Sequence, residues 1–172
     1  MSESLRAKDN FEAVFERYSD TVYRLAYSRV KNPHDASDVT QDVFLKYIRA
    51  EKTYNDEEHI KAWLIKTTIN TSKALVLSSW SRKRSWEELA DDDTVCDGKT
   101  AQNTETKSAL LSAVMGLPKT YRTVIHLFYF EDLPLGDISE ITGQSVNTVK
   151  SRLYRARNML KETLGDDFND FS

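Results

Sequence analysis

Apolar residues recur along this chain at intervals of three and four, the period of a helix that buries one face. Phe11, Val14, Phe15, Tyr18, Val22, Leu25, Ala26 and Val30 predict one long amphipathic helix, closed by Asn32-Pro33. Asp35 is placed to cap a second helix that carries Ala36, Val39, Val43, Phe44, Tyr47 and Ile48. Residues 51–58 are polar and turn-like, with Tyr54 as their aromatic member. Ile60, Trp63 and Leu64 then predict a third helix from about Glu58 to Ser79, although Thr67-Thr68-Ile69 lowers its intrinsic propensity.

From about Glu87 to Thr104 the apolar period disappears, and the acidic run with Asp97-Gly98 reads as an exposed linker. Helical spacing resumes with Leu110, Val114 and Leu117; Pro118 opens a further helix with Tyr121, Val124, Ile125, Phe128 and Tyr129 facing the core. Each side of the linker has its own apolar set. The expectation is an all-α chain of two small helical domains, 1–86 and 105–172, joined by a flexible acidic linker at 87–104.

The stretch Leu133 to Arg157 carries the most information. Asp132 can cap a helix, Pro134 suits a first turn, and Leu135, Ile138, Ile141 and Thr142 share one face. Gly143 ends that helix, and Ser145 is a good N-cap for the next, so a steep helix-turn-helix follows. Its second helix buries Val149, Leu153, Ala156 and Leu160 and shows Asn147, Lys150, Ser151, Tyr154, Arg155 and Arg157 on its other faces. No acidic side chain occurs from Ser145 through Lys161, so the cations can meet phosphates while Asn and Ser reach base edges. Gly136 inside the first of these helices costs about 0.5–1 kcal/mol relative to Ala, without an evident functional return.

Composition adds a charge pattern. The 172 residues are 40% hydrophobic and 30% charged, with five Gly and three Pro, as in a globular helical protein. A net charge of −3 argues against a general polyanion binder, but the charge is segregated. Between His59 and Trp86 there is no Asp or Glu, while Lys61, Lys66, Lys73, Arg82, Lys83 and Arg84 are present; Glu87, Glu88, Asp91, Asp92, Asp93 and Asp97 follow at once. In the basic interval Trp63, Trp80 and Trp86 can stack on unpaired bases, and the amide of Asn70 can bond an exposed base edge. Composition alone favours the plainer alternative, with Trp63 in the core, Trp80 and Trp86 packing between helices and Asn70 a surface residue.

Cys96 is the single cysteine, so no internal disulfide is possible, and its acidic neighbours disfavour a thiolate. Met1-Ser2-Glu3-Ser4 lacks the basic and apolar blocks of a signal peptide, and the longest aliphatic run is Ala74 to Leu77. A cytoplasmic protein without membrane insertion is expected. His34, His59 and His126 are far apart in sequence, and neither a metal site, a cofactor loop nor a catalytic pair is suggested.

In order along the chain, these features resemble the extracytoplasmic-function sigma factors of bacterial RNA polymerase, which keep only regions 2 and 4 of the sigma-70 family. Leu117-Pro118-Lys119-Thr120-Tyr121-Arg122 and Thr148-Val149-Lys150-Ser151-Arg152-Leu153-Tyr154-Arg155-Ala156-Arg157 are similar to region 4. Asp35, Asp38, Gln41, Asp42 and Phe44 resemble region 2.2, and Trp63-Leu64 with Asn70 resembles regions 2.3 and 2.4. The resemblance implies that Asp38, Gln41, Asp42 and Phe44 dock on core RNA polymerase. It implies a minus-ten surface of Trp63, Lys66, Asn70, Lys73, Arg82, Lys83 and Arg84 for opened strand. It implies a minus-35 duplex surface of Asn147, Thr148, Lys150, Ser151, Arg152, Tyr154, Arg155 and Arg157, and an anti-sigma protein as a further partner. The linker would thread into the channel that nascent RNA later uses. Ala74 and Leu77 depart from the polar or basic residues usual in the family and make the minus-ten surface more apolar. A competing reading is a stand-alone helix-turn-helix regulator whose N-terminal half senses a ligand or dimerises.

Overall fold

The computed structural model describes residues 5–6, 10–50, 53–54, 56–83 and 105–165, the side chains of 5–6, 53, 80–83 and 105–108 excepted. Arg84, Trp86, the acidic stretch 87–104 with Cys96, and the side chains of Trp80, Arg82 and Lys83 therefore lie outside the described residues. The chain divides into two compact units, Met1–Asp93 and Thr94–Ser172.

The first unit is three helices, α1 (Phe11–Val30), α2 (Pro33–Arg49) and α3 (Glu57–Lys83), with a short antiparallel pair of β1 (Leu5–Arg6) and β2 (Thr53–Tyr54). Lys31 ends α1 in the left-handed conformation, φ 54°, with its N–H on the Tyr27 carbonyl. The cap of α2 is Asn32 and not Asp35: its Oδ1 accepts the Asp35 N–H at 3.1 Å. Pro33 accounts for this shift, because its fixed φ and missing N–H suit the first helical position and push the cap to the residue before it.

Val14, Tyr18, Val22 and Ala26 of α1 close on Ala36, Val39, Val43, Phe44 and Tyr47 of α2 and on Ile60 and Leu64 of α3. Tyr54 is buried as well, stacked on Tyr47 with ring centroids 5.6 Å apart, which anchors β2 where only a polar turn was expected. The α3 helix runs unbroken through Thr67-Thr68-Ile69 and four residues beyond Ser79. Its hydroxyls are satisfied internally: Thr68 donates to the Leu64 carbonyl at 2.6 Å and Ser72 to the Thr68 carbonyl at 2.7 Å. Burial of these satisfied groups outweighs the weak propensity.

The second unit comprises α4 (Glu105–Met115), α5 (Lys119–Ile125), α6 (Leu135–Thr142) and α7 (Val146–Leu164). Buried Arg122 donates from Nη1 to the Met115 carbonyl at 3.0 Å and the Leu117 carbonyl at 3.2 Å, fastening the end of α4 to α5. A π-helical turn, His126–Phe130, continues α5, and the Glu131 N–H reaches the His126 carbonyl at 3.2 Å. His126 and Glu131, both buried, face each other across this turn at 3.3 Å. Asp132 does not cap α6. It stands at φ 52°, and Pro134 occupies the cap position without a side-chain bond, so the helix begins at Leu135.

Candidate nucleic-acid and polymerase interfaces

Gly143 takes up φ 69° and donates its N–H to the Ser139 carbonyl, a left-handed stop that a side chain would oppose. The Ser139 hydroxyl donates to the Gln144 carbonyl at 2.5 Å, and Gln144 N–H returns to the Ser139 carbonyl at 3.2 Å. Ser145 then accepts the Thr148 N–H at 3.2 Å. Each end of the turn is thus hydrogen-bonded, and the direction of α7 relative to α6 is set by backbone geometry.

Val149, Leu153, Ala156 and Leu160 are buried in the unit's core. Asn147, Lys150, Ser151, Tyr154 and Arg155 are exposed, Tyr154 to 67%. Thr148 and Arg152 are half-buried. Arg157 is also half-buried, and it is committed to the protein itself: its Nε donates to the Tyr129 hydroxyl at 2.5 Å. The same guanidinium lies 5.7 Å from the Phe128 ring centroid and 5.5 Å from that of Tyr129. The π-helical turn thus meets α7 through this contact. Beside the exposed face, a cleft of about 480 Å³ lies between the start of α5 and α7, lined among others by Thr120, Tyr121, Asn147, Ser151, Arg152 and Arg155.

In the first unit Lys66, Asn70, Lys73 and Leu77 are exposed and follow one another by four, three and four residues, a single stripe of α3. Trp63 is half-buried, its ring edge-on to Tyr47 at 5.8 Å and to Tyr54 at 6.2 Å, so most of it belongs to the core edge. On α2, Asp38 and Gln41 are exposed and Asp42 pairs with Lys46 at 3.1 Å. Lys46 also donates to Thr71 of α3 at 3.0 Å. Phe44 does not share that surface. It is 3% exposed and packs against Phe15 at 4.9 Å and Phe11 at 6.2 Å, because α1 and α3 close over two adjacent positions of α2. The apolar groups left in the open nearby are Leu45, 40% exposed, and Phe15, 44%, and the helical period alone did not separate them from the core. His34, Asp35 and Asp38 gather within 4.8 Å on the first turns of α2, a grouping made by helical spacing.

Tyr47 and Tyr54 carry hydroxyls that are buried without a hydrogen-bond partner, and burial pushes both phenols upward, Tyr54 to about 12. Asp56, which accepts the His59 N–H at 2.8 Å, is held below the usual carboxylate range chiefly by that bond. Neither group lies on the stripes described above. Among the described residues no helix is long and apolar enough to cross a membrane.

A three-helix unit with a basic amide stripe, followed by a helix-turn-helix unit, is the architecture of a promoter-specificity factor. Residues 14–84 match the family described as Sigma-70 region 2, and residues 107–160 match Sigma-70, region 4. The chain belongs to the extracytoplasmic-function sigma factors of the sigma-70 family, transcription initiation factors that direct RNA polymerase to promoters. It is 39% identical over 147 residues to RNA polymerase sigma factor SigV of Bacillus subtilis (strain 168), covering 84% of each chain. It is 27% identical over 175 residues to ECF RNA polymerase sigma factor SigW of the same organism, covering 92% of this chain and 91% of that one. The fold matches sigma factor RpoE of Bartonella quintana, solved with the anti-sigma factor NepR, at a TM-score of 0.75 and 21% identity over 92% of this chain and 98% of that one. It also matches CnrH, solved with the cytosolic domain of CnrY, at 0.61 and 20% identity over 91% and 88%. A stand-alone regulator gives no reason for the region 2 match. The family is one of non-enzymatic transcription initiation factors.

Proposed function

We propose that α7 enters the major groove of a minus-35 element with Asn147, Lys150, Ser151, Tyr154 and Arg155 toward the bases and backbone. Asn70 receives an unpaired base of the minus-ten strand, while Lys66 and Lys73, and Arg82, Lys83 and Arg84 beyond them, follow its phosphates. Asp38, Gln41 and Asp42 dock on core polymerase, with Leu45 beside them and Phe44 holding the helix from within. Residues 1–86 and 105–172 act as the two attachment domains, and 87–104 spans the distance between them. The protein works in the cytoplasm, where polymerase and promoter are found, and an anti-sigma protein restrains it, as the complexes of RpoE with NepR and CnrH with CnrY suggest.

The observation that carries this reading is the sidedness of α7: one stripe fully buried, the opposite one exposed, polar and without a carboxylate from Ser145 to Lys161. The test is a promoter complex with core polymerase, probed upstream by nuclease protection and downstream by permanganate reactivity of unpaired thymines. Arg155→Ala loses upstream protection, whereas Asn70→Ala keeps it and loses downstream reactivity. Parent-like patterns in both variants would refute the assignment.

A further inference from the structure

We propose that residues 166–172 fold back into the groove between α4 and the end of α7 and cover it, with Phe168 and Phe171 as their anchors. The groove holds about 560 Å³. It is lined among others by Ala113, Gly116 and Leu117, at and just past the end of α4, and by Met159, Thr163 and Leu164 of α7. Small side chains on the α4 wall keep it open, and Glu162 is the one charged residue of the lining. Met159 and Leu164 are only half-buried, so apolar surface is left uncovered there.

Position, chemistry and tethering choose the occupant. Thr163 and Leu164 put the end of α7 at the lip of the groove, and Gly165 stands at φ 64°, which stops the helix and turns the chain off its axis. Asp166-Asp167-Phe168-Asn169-Asp170-Phe171-Ser172 lie outside the described residues and begin at that point. A chain spans at most about 3.3–3.6 Å per residue, so Phe168 reaches about 10 Å from Gly165 and Phe171 about 20 Å. The apolar groups of this segment are two phenyl rings, and an apolar wall removes both from water. The exposed face of α7, with Lys150, Tyr154 and Arg155, attracts the aspartates but gives the rings no such shelter. A tether of a few residues supplies an effective concentration on the order of mM, far above that of a second copy in dilute solution. A groove covered in this way is closed to a helix of any other protein, so the segment decides whether a further partner docks there. None of this depends on the DNA contacts proposed for α7.

The test is methyl NMR of the full chain with isotope-labelled methionine, which gives three signals, from Met1, Met115 and Met159, the last identified by Met159→Leu. The parent is compared with a chain ending at Gly165 and with the pair Phe168→Ser and Phe171→Ser combined. The expected result is a Met159 methyl displaced upfield in the parent by the ring current of a seated phenyl, and returned to one common position in both altered chains while Met1 stays in place. A nitroxide on Ser172→Cys, in a chain that also carries Cys96→Ser, broadens the same Met159 signal, and the broadening persists on dilution. A Met159 signal that is the same in the parent and both altered chains overturns the proposal. A displacement that fades on dilution also overturns it, in favour of a second copy in the groove. Removal of 166–172 that leaves Met159 in place but tightens binding to promoter duplex overturns it in favour of a tail lying on the basic face of α7.

Discussion

Arg157 stands on the sequence motif of the recognition helix, yet its partner is Tyr129. Replacing it with Ala removes a hydrogen bond of 2.5 Å to the Tyr129 hydroxyl and the stacking of a cation over two rings at 5.7 and 5.5 Å. A hydrogen bond to a charged group is worth about 1.5–3 kcal/mol, and a partly exposed cation–π contact about 0.5–1 kcal/mol. Arg157 is half-buried, so water replaces part of both, and a cost of about 2 kcal/mol to the second unit is expected. In a domain of about 60–100 residues each kcal/mol moves the midpoint by about 4–8 °C, so Arg157→Ala lowers that transition by about 8–16 °C. Tyr129→Phe keeps the ring and loses the hydroxyl, and its effect is about half as large. The assay is thermal and denaturant unfolding of the full chain, completed as a double-mutant cycle between the two positions. Arg155→Ala, fully on the surface, serves as the control and changes stability by no more than about 0.5 kcal/mol. An Arg157→Ala protein that melts like the parent but loses duplex affinity as Arg155→Ala does would refute this reasoning and return Arg157 to the DNA.

Three further outcomes are expected. Gly143→Ala costs about 1–2 kcal/mol from the left-handed backbone alone, since no atom lies within 4 Å of the added methyl; Gly143→Asn recovers part of it in the same unfolding assay. Phe44→Ala costs about 3–5 kcal/mol and unfolds the first unit at lower temperature, whereas Gln41→Ala keeps the melting curve and lowers polymerase affinity in a binding titration. The phenol of Tyr54 ionises at about 12 in the folded chain, so over the interval down to the ordinary value near 10 the unfolded chain has released a proton that the folded chain keeps. Stability of the first unit therefore falls as pH rises through that window, and Tyr54→Phe reduces the dependence in alkaline denaturation curves, leaving the part that the raised phenol of Tyr47 carries.

Local chemistry made the helix-turn-helix legible. Gly143 and Ser145 act through one turn of backbone, and both do in the structure what their residue types require. The α7 core stripe followed from period alone for the same reason. What escaped depends on partners distant in sequence. Phe44 sits inside because Phe11 and Phe15 of α1 arrive beside it, and Tyr54 becomes a core ring because Tyr47 and Trp63 receive it. Arg157 looked like a surface cation until Tyr129, twenty-eight residues earlier, took its Nε. Arg122, His126 and Glu131 are polar residues whose burial no hydrophobic period announces. The displaced caps at Asn32 and Pro134 show the limit within local reasoning: a proline near a helix start decides which neighbour caps, and each case resolved differently.

A sigma factor of this kind grips a promoter at two points, duplex upstream and opened strand downstream, in company with polymerase. Run-off transcription from a matched promoter with purified core polymerase tests it most directly, comparing the parent chain with Arg155→Ala and Asn70→Ala. The expected result is a promoter-dependent transcript with the parent, a transcript that loses its dependence on the upstream element with Arg155→Ala, and little transcript with Asn70→Ala despite normal polymerase binding. No promoter-dependent transcript above core polymerase alone, or full transcription from both variants, would contradict it.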